Sequence, residues 1–168
     1  MSNHKKKYYA LGIDFGTNSV RSLVLDLITG EEVSTKVSNY QSGKNGILLD
    51  DKNPQLARQN PADYLESMEL AVKPAVDEAV SKGCDLNNIV GIGVDTTGST
   101  PLPVDKNVVP LAFNDKFKDN LNAQSWLWKD HTSIKESLEI TKLAAEIRPE
   151  DIARCGGAYS AGTRRKTG

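Results

Sequence analysis

The segment Gly12 to Arg21 (GIDFGTNSVR) gathers an acid, a glycine turn, hydroxyls and an arginine in one short stretch. Glycine permits close backbone approach, and successive N–H groups form an anion-binding nest. The amides here, with the Thr17 and Ser19 hydroxyls, suit phosphate oxygens, and Arg21 offers a forked guanidinium to the same group. Asp14, ending an apolar run, suits Mg²⁺ held through water, because that ion dehydrates reluctantly. The same residue types also build an ordinary hairpin turn, so the segment alone supports either use. G-x-x-x-x-G-K-[ST] does not occur, and Gly91-Ile92-Gly93 lacks the third glycine of a dinucleotide fingerprint. A nucleotide site in this chain therefore requires another architecture.

Two further clusters carry polar chemistry. Thr96-Thr97-Gly98-Ser99 follows the apolar run Ile89 to Val94 and Asp95. Hydroxyls placed there commonly cap backbone groups. Downstream, Trp126-Leu127-Trp128 leads into Lys129-Asp130-His131. The indoles suit core anchoring, Lys129 and Asp130 a solvated pair, and His131 a surface or capping position.

The elements that must position these residues follow from pattern. Tyr8 to Asp14, Ser19 to Leu27 and Glu31 to Tyr40 read as a three-stranded antiparallel meander, the last alternating at period two through Val33, Thr35 and Val37. Gln41 to Asn60, with Gly43, Gly46 and Pro54, reads as a surface loop. A helix follows, with Asn60 as cap, Pro61 at the first position, Gly83 at the exit and Pro74 as a kink. Its expected buried face is Leu65, Met68, Val72, Val76, Ala79 and Val80. Ile89 to Val94 reads as a fully buried strand, and helix followed by strand implies a mixed α/β sheet. Pro101 to Val104 and Val108 to Ala112 form a candidate hairpin. A final helix spans Ser133 to Ile147, opened by a Ser133/Glu136 capping box. Residues 161–168 (AGTRRKTG) lack apolar spacing and read as a disordered end.

Composition limits the choices. The chain has 168 residues, 21 Lys and Arg against 22 Asp and Glu, and a net charge of −1. No global field is available to steer nucleic acid or membrane, and the length suits one domain at roughly 150 residues. No apolar run reaches the roughly 18 residues of a membrane span. Lys5-Lys6-Lys7 precede an apolar stretch cut by Asp14, so no signal peptide and a cytoplasmic location are expected. Cys84 and Cys155 stand far apart and read as free thiols.

DFGTNSVR (Asp14 to Arg21) resembles the first phosphate hairpin of the actin-like ATPase superfamily, and within it the FGGY carbohydrate kinases. GVDTTGSTPLPVD (Gly93 to Asp105), LWKDHT (Leu127 to Thr132) and the Ile152 to Ser160 stretch ending GGAYS resemble most the members acting on L-ribulose. The resemblance implies an actin-like, ribonuclease H-like mixed α/β sheet with flanking helices, here the incomplete first domain over residues 1–160, with 161–168 outside the family pattern. It implies ATP and Mg²⁺ as cofactors, Asp14 as the metal-associated acid, and Thr17, Asn18, Ser19 and Arg21 around the phosphates. Thr96, Thr97, Gly98, Lys129 and Asp130 fall on the side of the sugar, where short hydroxyls can both donate and accept. Glycerol kinases carry an Arg-Glu pair where Thr97 and Gly98 stand, which implies a different substrate. The implied reaction is phosphoryl transfer from ATP to the 5-hydroxyl of L-ribulose or a related sugar. No residue matches the family's general-base aspartate, and the second domain is absent, so the chain alone is expected to be inactive. An incomplete sheet is expected to favour homo-oligomers. Another pentulose or polyol kinase, or a non-catalytic actin-like module binding nucleotide or a partner, stands as the alternative.

Overall fold

A computed structural model describes residues 7–161. They form two compact units: residues up to Gly46 with Ala62–Thr97, and Ile47–Pro61 with the chain from Gly98 onward. The strands are β1 (Tyr9–Phe15), β2 (Ser19–Asp26), β3 (Glu32–Asn39), β4 (Leu48–Asp50), β5 (Asn53–Gln59), β6 (Ile89–Thr96) and β7 (Ser125–Trp126). The helices are α1 (Pro61–Ser81), α2 (Ile134–Ile147) and α3 (Pro149–Arg154). None is long and apolar enough to cross a membrane.

The first unit is a mixed sheet of order β3-β2-β1-β6 with α1 packed on it. The expected meander forms: β1 pairs antiparallel with β2, and β2 with β3, while β6 joins β1 in parallel. Side chains alternate across a strand, so Tyr9, Leu11 and Ile13 of β1 and Val20 and Val24 of β2 share the core face. Helix α1 meets them with a stripe at four-residue spacing, Asp63, Ser67, Ala71, Ala75 and Ala79, all buried. Met68, Val72 and Val76 are partly buried, but Leu65 and Val80, expected inside, are exposed. Alanines bring the helix backbone close enough for the Ser34 hydroxyl to donate to the Ala75 carbonyl at 2.6 Å. The larger residues are thereby left on the flank. Helix α1 runs from Pro61 through Pro74 as one element. It ends as expected at Gly83 (φ 92°), where the Gly83 and Cys84 amides donate to the Val80 and Ala79 carbonyls in a Schellman arrangement.

Strand β6 departs from expectation. Only β1 flanks it among the described residues, and Val90, Ile92 and Val94 are 58, 68 and 62% exposed. An apolar run shows that a strand suits burial on both faces; it does not supply the cover.

The second unit overturns the loop reading of residues 41–60, because β4 and β5 lie within it and form a sheet of order β4-β5-β7. Pro54 stands near the start of β5, and the buried residues that follow, Leu56, Ala57, Arg58 and Gln59, include two polar side chains. This mixture hid the strand. The segment 101–112 closes through a single bridge, Val104 to Pro110, around Asp105, whose carboxylate accepts from the Asn107 and Val109 amides. Helix α2 begins after Ser133, yet the Ser133 side chain does not cap it and donates instead to the Ala161 carbonyl at 3.0 Å. The expected capping box is therefore not formed. Residues 162–168 of the expected disordered end lie outside the described residues; Ala161 itself is buried. Both cysteines are free thiols.

Candidate functional site

The β1–β2 ladder sets Asp14 opposite Arg21, and the parallel β1–β6 ladder sets Asp14 beside Asp95. Since Leu11 and Ile13 face the core, Gly12 and Asp14 face away from α1, as do their ladder partners Leu23, Arg21, Gly93 and Asp95. These residues line a depression of about 360 Å³. Gly93 leaves its floor open, since a Cβ there would meet nothing within 4 Å. Among the described residues no hydrogen bond or ion pair engages the side chain of Asp14 or Arg21. Asp95 spends one carboxylate oxygen on the Thr96 amide, at 2.9 Å. Three exposed charges therefore share a hollow at the carboxyl ends of β1 and β6, where open α/β sheets commonly bind ligands.

The turn between β1 and β2 forms the rim. Its Gly16 amide donates to the Ser19 carbonyl at 2.9 Å, closing the hairpin. Thr17 and Ser19 are partly exposed. The Asn18 side chain donates to the Asn45 carbonyl at 2.6 Å, and the Asn18 carbonyl accepts from the Tyr40 amide at 2.9 Å. The Tyr40 hydroxyl donates to the Gly16 carbonyl at 3.2 Å. Tyr64 packs edge-on against both Tyr40 and Phe15, with ring centres 5.5 and 6.3 Å away. Burial pushes the Tyr40 phenol well above its ordinary range, helped by Tyr64, Asp14 and Asp63, so it remains a donor.

Thr96 pairs with Phe15 across the ladder, and the Thr97 amide donates to the Phe15 carbonyl at 3.0 Å, so both threonines start a loop beside the β1–β2 turn. Gly98 and the later residues belong to the second unit. There Lys129 is exposed, its ammonium 5.2 Å from the centre of the Trp128 ring. Asp130 is fully buried and pairs with Arg58, accepting also from the Ala57 amide and the Thr132 hydroxyl at 2.9 and 2.5 Å. Arg58 stacks on Trp126, 3.9 Å from its ring centre. Between the indoles, Leu127 is fully buried while Trp128 is 46% exposed, so Leu127 is the anchor.

Sequence reasoning left out Asp95, Tyr40 and Arg58 as site or supporting residues. Asp95 had a readable signal: Gly-Val-Asp at 93–95 repeats the Gly-Ile-Asp pattern at 12–14. Tyr40 and Arg58 act through pairing distant in sequence and leave no local mark.

The strand order, the antiparallel meander with a parallel fourth strand, and a polar turn at the carboxyl end of β1 define the actin-like, ribonuclease H-like class of α/β fold. A xylulose kinase from Brucella ovis shares it with a TM-score of 0.64 at 21% identity, covering 92% of this chain and 26% of that one. A xylulose kinase from Rhodospirillum rubrum shares it with a TM-score of 0.61 at 18% identity, covering 86% of this chain and 24% of that one. Residues 9–148 match the N-terminal domain of the FGGY family of carbohydrate kinases, and the chain belongs to that family. It is 40% identical over 153 residues to the ribulokinase of Vibrio parahaemolyticus, covering 90% of this chain and 26% of the relative. It is 37% identical over 158 residues to that of Shouchella clausii, covering 92% and 28%. The chain thus spans about a quarter of these relatives' length.

Proposed function

We propose that the chain is the amino-terminal part of an ATP-dependent L-ribulokinase and supplies the phosphate-binding turn and one wall of the sugar site. The observation that carries this reading is the pair of charges, Asp14 and Arg21, which engage no hydrogen-bond or ion-pair partner among the described residues and face one depression beside the Gly16 turn. Their donor chemistry fits a metal-bound triphosphate. Arg21 and the Thr17, Asn18 and Ser19 segment would hold phosphate oxygens, and Asp14 a Mg²⁺ that keeps most of its water.

Mg²⁺ bound with ATP supplies charge neutralisation at the transferred phosphoryl group. The chain's own residues orient that group. Thr96 and Thr97 would meet the sugar hydroxyls; within the second unit, buried Asp130 fixes the Lys129 loop through Arg58. A cytoplasmic location, and self-association through the β6 edge, which has no strand beside it among the described residues, complete the reading.

A chimera tests the assignment: residues 9–148 replace the matching segment of the Vibrio parahaemolyticus ribulokinase. ADP formation that depends on L-ribulose is expected. A soluble, folded chimera that uses another sugar in preference, or none, overturns it.

A further inference from the structure

We infer that Asp95 is a second metal-binding carboxylate of the depression, sharing with Asp14 the divalent cation that accompanies a triphosphate. The inference rests on the phosphate reading of that depression and fixes an order across it: the anion toward β2, the cation between β1 and β6. Asp14 stands opposite Arg21 on one side and beside Asp95 on the other. The three charges therefore occupy neighbouring strands in the order Arg21, Asp14, Asp95, on the face turned away from α1. Strands lie about 5 Å apart, so Asp14 and Asp95 can reach one hydrated ion, while Arg21 is two strands away from Asp95.

Two like charges side by side on a sheet are unfavourable, and a cation held between them removes the penalty. Arg21 does not supply that cation, since among the described residues no ion pair joins it to either acid. One oxygen of Asp95, Oδ1, accepts from the Thr96 amide at 2.9 Å, which fixes the carboxylate at the end of β6. Its Oδ2 has no partner among the described residues, and Asp95 lines the hollow. Room for a hydrated ion comes from Gly12 and Gly93, two residues earlier on the same two strands, which line that hollow without side chains. The donor set fits the ion: Mg²⁺ takes one or two carboxylates together with phosphate oxygens and keeps several of its waters.

The test titrates the 168-residue chain with inorganic triphosphate by calorimetry, first without divalent metal and then with Mg²⁺. Asp95→Asn keeps the shape and the Oδ1 acceptor and removes only the charge. Without metal, the variant is expected to bind triphosphate at least as tightly as wild type, because a repelling charge is gone. With Mg²⁺ it is expected to bind roughly tenfold more weakly, the loss seen when a group that holds a metal's outer shell is removed. The opposite signs separate a metal-binding acid from a structural one, whose removal lowers both affinities alike. An equal loss in both titrations, or no loss with Mg²⁺, overturns the role of Asp95 and leaves the phosphate reading intact. Failure of wild type to bind Mg²⁺ and triphosphate overturns that reading and this role with it.

A measurement on wild type covers the case in which Asp95→Asn does not fold. The chain is ¹⁵N-labelled and mixed with triphosphate and a substoichiometric amount of Mn²⁺ in place of Mg²⁺. Paramagnetic broadening is expected to be strongest at the Asp14 and Asp95 amides and weaker at Arg21 and at its β3 neighbour Val37. Broadening centred on Arg21 overturns the proposal.

Discussion

Arg58 and Asp130 form an ion pair in which both side chains are sealed from solvent, 1% and 0% exposed, although they lie on β5 and on the loop after β7. The guanidinium also donates to the Leu121 carbonyl at 3.1 Å, and the carboxylate accepts from Ala57 and Thr132. Every charged atom removed from water here needs such company, because an uncompensated buried charge is among the costliest defects a fold can carry.

Removing one partner should therefore cost far more than removing both. Arg58→Met is expected to destabilise the second unit by about 3–5 kcal/mol, whereas the double change Arg58→Met with Asp130→Leu should come much closer to wild type. Guanidinium unfolding followed by Trp126 fluorescence reads both, since that indole stacks on Arg58. Equal losses in the single and double variants would show that the pair is not what holds these segments.

Glu78 on α1 links two lysines, Lys36 at 2.5 Å and Lys82 at 2.6 Å. Hydrogen bonding from Lys36, then from Lys82, holds its carboxyl down at about 2 against an ordinary value of 4.5. A depressed acid stabilises the fold fully above the ordinary value and loses that contribution as the pH falls toward the depressed one. Glu78→Gln should therefore lower the melting temperature at pH 7, and the gap from wild type should narrow between pH 4.5 and 2. A gap that stays constant over that range would mean the charge on Glu78 contributes nothing.

The contrast between the two units shows what a sequence can disclose. The meander was legible because Val33, Thr35 and Val37 alternate, and glycine-containing turns separate the strands. The end of α1 was legible because Gly83 alone suits a positive φ there. Strand β5 was not, since Arg58 and Gln59 are buried polar residues, and the partners of Arg58, Leu121 and Asp130, lie over sixty residues away. The inward face of α1 was misjudged for a related reason. Leu65 and Val80 have the hydrophobicity for burial, but Ala71, Ala75 and Ala79 have the size for it. At the site, Asp14 and Arg21 could be picked out by type; Asp95 carried the Gly-x-Asp echo of Asp14, and the parallel pairing of β6 with β1 sets the two side by side.

Gly46 is a position where one methyl group has nowhere to go. The φ of +80° and the 2.6 Å approach to Tyr40 combine two separate penalties, left-handed backbone and overpacking. Gly46→Ala should cost roughly 1–3 kcal/mol, read by thermal unfolding. Gly30→Ala, at φ +76° with nothing within 4 Å, isolates the backbone part and should cost less.

The exposed apolar side chains of β6 predict concentration-dependent association. Edge strands without a charged gatekeeper pair readily with other chains, and Val90 to Val94 carries none. Ile92→Lys places a charge on the most exposed of the three large residues and should shift sedimentation toward monomer. Unchanged association would locate the contact elsewhere.

Gly93 separates binding from folding more cleanly than any charged residue of the site. Its floor position in the depression beside Asp14, Arg21 and Asp95 means that a branched side chain fills the hollow, yet a Cβ there meets no protein atom within 4 Å. Gly93→Val should leave stability unchanged or raise it by about 0.5–1 kcal/mol, because glycine is a poor strand former and valine a good one. Binding of Mg²⁺ and triphosphate, measured by calorimetry, should nevertheless fall at least severalfold. An Arg21→Ala variant would lose affinity through charge alone, so the glycine change distinguishes a ligand that enters the depression from one attracted only to its rim. Retained affinity in a stable Gly93→Val chain would place the anion on the turn and leave the hollow to another part of the substrate.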